Sequence, residues 1–172
     1  GAVLPSSKYL ALAMARAAQG AAALVELGAG TGPVTRALAQ VYPERRLIVV
    51  ELRKDLALGL SREFKLAEVH AAPAAAVLGL LVGLPPATGV VSSLPFRSLP
   101  SGLKTETVSS ILAFLRAGVG RFMVQFTYCP GVPFQVPRGF SWRKVAFVAR
   151  NLPPAAVWVL EPESVGANGS GA

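Results

Sequence analysis

The sequence predicts an α/β domain with a mostly parallel sheet, helices on both faces and an antiparallel hairpin at its end. Three observations carry this expectation. Apolar residues alternate between helical and strand spacing from Ser6 to Gly118, the pattern of strands joined by crossover helices. A glycine-rich turn, "VELGAGTG" (Val25 to Gly32), follows the first strand and opens the next helix. After Gly118 the strand-like runs "GRFMVQFTY", "SWRKVAFVARN" and "AAVWVLEP" succeed one another without a convincing helix, which closes a parallel sheet with an antiparallel pair.

The elements follow in order. "SSKYLALAMARAAQ" (Ser6 to Gln19) is a helix capped by Ser6 or Ser7, with Leu10, Met14 and Ala17/Ala18 on one face. "AALVELG" is a buried strand, and "TGPVTRALAQVY" a helix with Pro33 in its first turn. "RRLIVVEL" is the second strand and "KDLALGLSREF" a short helix after it. "KLAEVHA" makes a weaker third strand, "AAAVLGLLVGL" (Ala74 to Leu84) a helix, "ATGVVSSLP" a fourth strand and "LKTETVSSILAFLRAG" the next helix. Residues 1–162 form one domain, and 163–172, ending "SVGANGSGA", read as a flexible tail.

Composition narrows the class. A chain of 172 residues with 52% hydrophobic content has enough apolar mass for one substantial core. It carries 17 Lys+Arg against 9 Asp+Glu, a net charge of +8, and its pI is near 10.4. That surplus favours polyanionic partners, either nucleic acid or an anionic membrane surface. The single cysteine, Cys129, excludes an internal disulfide and any thiolate metal cluster, and fits a reducing compartment. Mean hydropathy is high at +0.50. However, Pro73, Pro85, Pro86 and Pro95 break the longest uncharged run into pieces shorter than the ~20 residues a spanning helix needs. No signal peptide is visible at the amino end.

The glycine turn alone leaves a nucleotide, S-adenosylmethionine or a plain tight turn open. Glu51 ends the second strand about 20 residues later, where a carboxylate accepts from ribose hydroxyls, with Leu52 next to it. The spacing Gly28-x-Gly30-Thr31-Gly32 departs from the dinucleotide G-x-G-x-x-G, and Glu26 stands two residues ahead of it. An acid there resembles the pattern of S-adenosylmethionine enzymes, in which it orients the methionine end, and its charge is badly placed beside a pyrophosphate.

At this point the chain resembles the class I, Rossmann-like methyltransferases, and within them the bacterial phospholipid N-methyltransferases that convert phosphatidylethanolamine to phosphatidylcholine. "GAVLPSSKYLA", "VELGAGTGPVTRAL", "VVEL", "VVSSLPFRSLP", "GRFMVQFTY" and "RNLPPAAVWV" carry the resemblance, in order and over nearly the whole chain. It implies a seven-stranded sheet with a reversed last strand, S-adenosylmethionine as cofactor, and a membrane-binding amphipathic helix ahead of Gly1. It also implies a cytoplasmic monomer held peripherally on the inner face of the plasma membrane, with a phospholipid substrate and no nucleic acid. Ribosomal RNA adenine dimethylases, with an Asn-Leu/Ile-Pro-Tyr/Phe loop, are the rival; protein amino-methylation and a non-catalytic anion-binding domain are further alternatives. One departure stands out. Ala72 occupies the place where relatives carry an Asp that accepts from the adenine amino group, and His70 or a backbone carbonyl is the candidate substitute.

Candidate site residues follow from the resemblance and the chemistry. Ser7 and Lys8, before the first helical turn, are placed to bind the cofactor carboxylate or a lipid phosphate, though Ser7 also serves as a plain cap. Glu26, Gly28, Gly30, Thr31, Gly32, Glu51, Leu52, Ala72 and Ser93 complete the cofactor set. Methyl transfer to an amine needs aim and a proton acceptor. The loop after the fourth strand offers the Ser93 hydroxyl and the Leu94 carbonyl for this, and Phe96 either faces a methylated cation or fills the core. Tyr9 and Tyr128 are candidates to hold the amine or relay its proton. Arg138, Arg143, Lys144 and Arg150, with Phe140 and Trp142, read as an interfacial patch for lipid phosphate or as a solvated strand face. Asn151 contacts the headgroup phosphate or holds its turn.

Overall fold

In a computed structural model of the chain, residues 7–128 and 130–164 are described. Ser6, Cys129 and the expected tail from 165 onward lie outside them. The elements are α1 (Lys8–Ala17), β1 (Ala23–Leu27), α2 (Pro33–Val41), β2 (Leu47–Val50), α3 (Lys54–Glu63), β3 (Glu68–His70), α4 (Ala74–Leu80), β4 (Thr88–Ser92), α5 (Ser101–Arg116), β5 (Phe122–Thr127), β6 (Phe140–Val148) and β7 (Ala155–Pro162). Every expected element is present. Helix α4 stops short of Leu84, because Gly83 at φ 69° and the pair Pro85–Pro86 turn the chain towards β4.

The strands form one sheet in the order β3-β2-β1-β4-β5-β7-β6. β1 to β5 run parallel, β7 returns antiparallel beside β5, and β6 pairs antiparallel with β7 as the edge strand. The reversed strand and the terminal hairpin are therefore as expected. Because the connections reverse direction between β1 and β4, a crevice opens at the carboxyl ends of these two strands, where open α/β sheets bind ligands.

Two apolar layers sandwich the sheet. On one face, Leu10 and Met14 of α1, Val34 and Leu38 of α2 and Leu60 of α3 pack onto Leu24, Val49 and Val124. On the other, Val77 of α4 and Ile111, Phe114 and Leu115 of α5 pack onto Val25, Ile48, Val90 and Met123. The central strands are buried on both faces, which explains their unbroken apolar runs. A polar tie joins the first layer: the Tyr42 hydroxyl donates to the Ala15 carbonyl at 2.7 Å, clamping the end of α2 onto α1. Among the described residues, no helix is long and apolar enough to cross a membrane.

Gly89 lets β4 sit close to its neighbours. A Cβ built there would lie 2.9 Å from the Ala21 Cβ and 3.0 Å from the Phe122 ring. Gly89→Val should overfill this layer and destabilise the fold by about 1–3 kcal/mol, read as a lower urea midpoint. An unchanged midpoint would show that the layer has slack.

Candidate active site

The turn after β1 and the end of β2 are built around one carboxylate. Glu51 Oε2 accepts from the Gly30 N–H at 2.7 Å, and Oε1 accepts from the Arg53 N–H at 2.9 Å. Each oxygen keeps a second lone pair, so a fixed acceptor pair faces the crevice and suits the two hydroxyls of a ribose. Gly28 is required by both conformation and contact. Its φ is 74°, and a Cβ there would come within 2.8 Å of the Leu94 side chain.

Above this turn lies a groove of about 530 Å³. Of the residues expected at the site, Gly28, Gly30, Thr31, Glu51, Leu52, Ala72, Ser93 and Leu94 line it together, although they come from four separate loops. The groove combines the polar groups of Gly30, Glu51, Arg53 and Ser93 with a mainly apolar lining that includes Leu56, Pro73, Leu99 and Leu103. A nucleoside with a sugar and a flat base fits this combination, so the residues present suit S-adenosylmethionine.

Glu26 is fully buried beneath the turn, and neither of its oxygens makes a hydrogen bond of good geometry. Burial pushes its carboxyl up to about 8; the neighbouring Thr35 works against that rise and the charge of Glu51 adds to it. Gly32, at φ 89°, is the N-cap of α2 and stands outside the groove lining.

The loop after β4 departs from expectation in two ways. The Leu94 carbonyl accepts from Gln125 Nε2 at 3.1 Å and from the Phe96 N–H at 3.0 Å. Both lone pairs are engaged, so this oxygen is not free to receive an amine. Phe96 is 3% exposed, with its ring centroid 4.7 Å from that of Phe134, so it fills the core and does not face a cation in the groove. Ser93 remains as the loop's polar side chain on the groove, and no hydrogen bond among the described residues engages its hydroxyl.

The flanking candidates are scattered. Ser7 caps α1, its side chain accepting from the Leu10 N–H at 3.2 Å. Tyr9 is exposed on α1 with Lys8 5.3 Å and Arg150 5.6 Å from its ring, off the groove. Tyr128 is half-buried and meets Phe126 edge-on at 5.0 Å; Phe126 lines the groove, so Tyr128 stands one ring behind it. His70 Nε2 pairs with Glu68 at 2.9 Å and does not line the groove.

The late basic residues do not form one patch. Arg138 precedes β6 and Arg150 follows it, so this nine-residue strand separates them by roughly 25–30 Å at about 3.3 Å per residue. Arg143 pairs with Glu161 at 3.2 Å, and Lys144 lies 5.2 Å from the Trp158 ring. Phe140 is buried beneath Arg116, and the Trp142 indole donates to the Phe134 carbonyl at 3.0 Å, so neither ring is free to enter a headgroup layer. Asn151 is 2% exposed, and its Nδ2 donates to the Pro153 carbonyl at 2.7 Å; it holds the β6–β7 turn and is closed to a phosphate.

Sequence reasoning passed over Gln125, whose only signal was a lone amide inside the apolar run "FMVQFTY". Its Oε1 is buried without a partner while its Nε2 braces the loop. It also passed over Leu103, Glu106 and Thr107 of α5, which line the groove at helical spacing.

No family model matches the chain. An ornithine lipid N-methyltransferase of Singulisphaera acidiphila is 35% identical over 165 residues, covering 90% of this chain and 84% of the relative. Among solved structures, the O-methyltransferase TomG of Streptomyces achromogenes, in complex with S-adenosylmethionine, superposes with a TM-score of 0.59 at 15% identity. That match covers 91% of this chain and 79% of TomG. The 23S rRNA methyltransferase ErmE gives a TM-score of 0.59 at 18% identity, covering 93% and 70%. The two structures share the fold.

Glu26 makes stability depend on pH in a defined direction. The folded chain holds its proton up to about 8 whereas the unfolded carboxyl releases it near 4.5, so the native state binds the extra proton between these values. Stability should fall as pH rises through that window. Glu26→Gln, which keeps the shape without the charge, should flatten the dependence and raise the urea midpoint at pH 8. A wild-type midpoint that rises between pH 5 and pH 8, or a slope that the substitution leaves unchanged, would contradict this.

Proposed function

Because the chain belongs to the S-adenosylmethionine-dependent methyltransferase family that holds the ornithine lipid N-methyltransferase, we propose that it methylates the amine of a lipid headgroup. Phosphatidylethanolamine and its mono- and dimethyl forms are the proposed substrates, leading towards phosphatidylcholine. When bound, the cofactor supplies a sulfonium methyl open to in-line attack by a neutral amine.

The observation that carries this reading is the polarity of the loop after β4. With the Leu94 carbonyl tied to Gln125 and Phe96, the loop presents one hydroxyl, that of Ser93, and neither an amide nor a carboxylate side chain. An aliphatic amine needs only aim and the loss of a proton, directly or through water. Adenine's amino nitrogen has a delocalised lone pair and needs a strong acceptor to localise it, so this loop favours the lipid. Ornithine lipid is the second reading, supported by the name of the 35%-identical relative. It too offers an aliphatic amine, and the loop does not separate the two.

The proposed setting is the inner, anionic face of the plasma membrane, with the protein held peripherally. The net charge of +8 supports it. So does the site-facing end of the β6–β7 hairpin, where Leu152 is 82% and Phe147 66% exposed near Arg150.

Labelled cofactor incubated with vesicles of phosphatidylethanolamine, vesicles of ornithine lipid and ribosomal RNA separates the readings. Label is expected in phosphatidylethanolamine. Label confined to ornithine lipid moves the substrate assignment, and label in RNA alone overturns lipid methylation. Ser93→Ala should lower kcat by about 10-fold or more with little change in cofactor Kd; full activity would remove Ser93 from the chemistry.

A further inference from the structure

Glu51 marks where a ribose sits, so the base of the nucleoside belongs in the rest of the groove. Leu52, Ala72 and Pro73, and Leu103, Glu106 and Thr107 of α5, are among the residues that line it. An adenine there brings an amino group that donates hydrogen bonds, for which a carboxylate is the strongest acceptor among protein side chains. The loop after β3 supplies no side-chain acceptor, since Ala71, Ala72 and Pro73 are apolar. His70 is engaged with Glu68 and lies off the groove. Apart from Glu51, which is already committed to the turn and the ribose, Glu106 is the one carboxylate on the groove lining.

We propose that Glu106, in the second turn of α5, reads the adenine amino group of the cofactor. The inference rests on the proposed use of S-adenosylmethionine. A carboxylate accepts only, and therefore favours an amino group at the purine 6-position over a carbonyl. The hydroxyl of Thr107, beside it, both donates and accepts and cannot make that distinction. Glu106 is a recognition residue, distant from the methyl transfer itself.

The test is calorimetric and independent of turnover. S-adenosylhomocysteine and its deaminated analogue S-inosylhomocysteine, which carries a carbonyl in place of the amine, are titrated into the full chain. The wild type should bind the inosyl ligand about 10-fold or more weakly, the scale of one hydrogen bond to a charged group. Glu106→Ala should lose about 10-fold for S-adenosylhomocysteine and most of the discrimination, and Glu106→Gln, which can accept or donate, should bind the two ligands within about threefold of each other. Glu106 is exposed on its helix, so thermal melts of both variants should match the wild type. If Glu106→Ala keeps the discrimination, or weakens both ligands equally, the inference is overturned and the cofactor reading stands. If the wild type binds neither ligand, the proposed function falls as well.

Discussion

The carboxylate of Glu51 is the joint on which the site depends. By accepting from Gly30 and Arg53 it ties the turn after β1 to the chain leaving β2, so two loops become one rigid floor. A carboxylate that accepts from two backbone N–H groups is fixed in place and aimed at once. The glycines make this possible. Gly28 lets the Leu94 side chain close over the turn, and that contact brings the loop after β4 onto the same floor. Three strand ends therefore meet at the switch point of the sheet because one acid and one missing Cβ bring them together.

A second constraint sets the character of the loop after β4. Gln125 donates across from β5 to the Leu94 carbonyl, and the Phe96 N–H takes its other lone pair. The Leu94 carbonyl oxygen is thus spent on the loop's own shape. What remains for a substrate is the Ser93 hydroxyl and an apolar surround. That arrangement orients and desolvates an amine without withdrawing much charge from it, which matches the needs of an alkylamine better than those of an aromatic one.

Much of this was legible in the residues. The alternation of helical and strand periods, followed by consecutive strands, made the succession of elements along the chain legible, because these periods follow directly from backbone geometry. Gly28, Gly30 and Glu51 were legible because a ribose site needs them at that spacing. Burial was not. Phe96 and Asn151 sit in motifs that suggest contact with ligand, yet Phe134 and the Pro153 carbonyl claim them, and both partners are set by tertiary packing. The late cations look adjacent in sequence, but an extended strand spreads them over its whole length, and their neighbours Phe140 and Trp142 are consumed by the core. Glu106 was missed because it reaches the groove from a helix that carries no motif, and Gln125 because its bond to the Leu94 carbonyl is set by tertiary packing.

Charge works on two length scales in this molecule, with opposite sign. At long range the excess of cations, +8 over the chain, draws the protein towards anionic surfaces and weakens with salt over a Debye length of about 8–10 Å. At short range two acids, Glu51 at the end of β2 and Glu106 on α5, line the groove with the single cation Arg53, and Glu26 is buried beneath its floor. A positively charged ligand placed in the groove would favour the ionised form of Glu26, which burial, with the charge of Glu51 adding to it, holds protonated to about 8. Both a sulfonium and an ammonium are cations, and a local acidic field admits them where the protein's net charge would repel them. A basic body with an acidic groove is therefore suited to a substrate that presents its own amine from within an anionic layer, since the layer attracts the body and the groove attracts the amine.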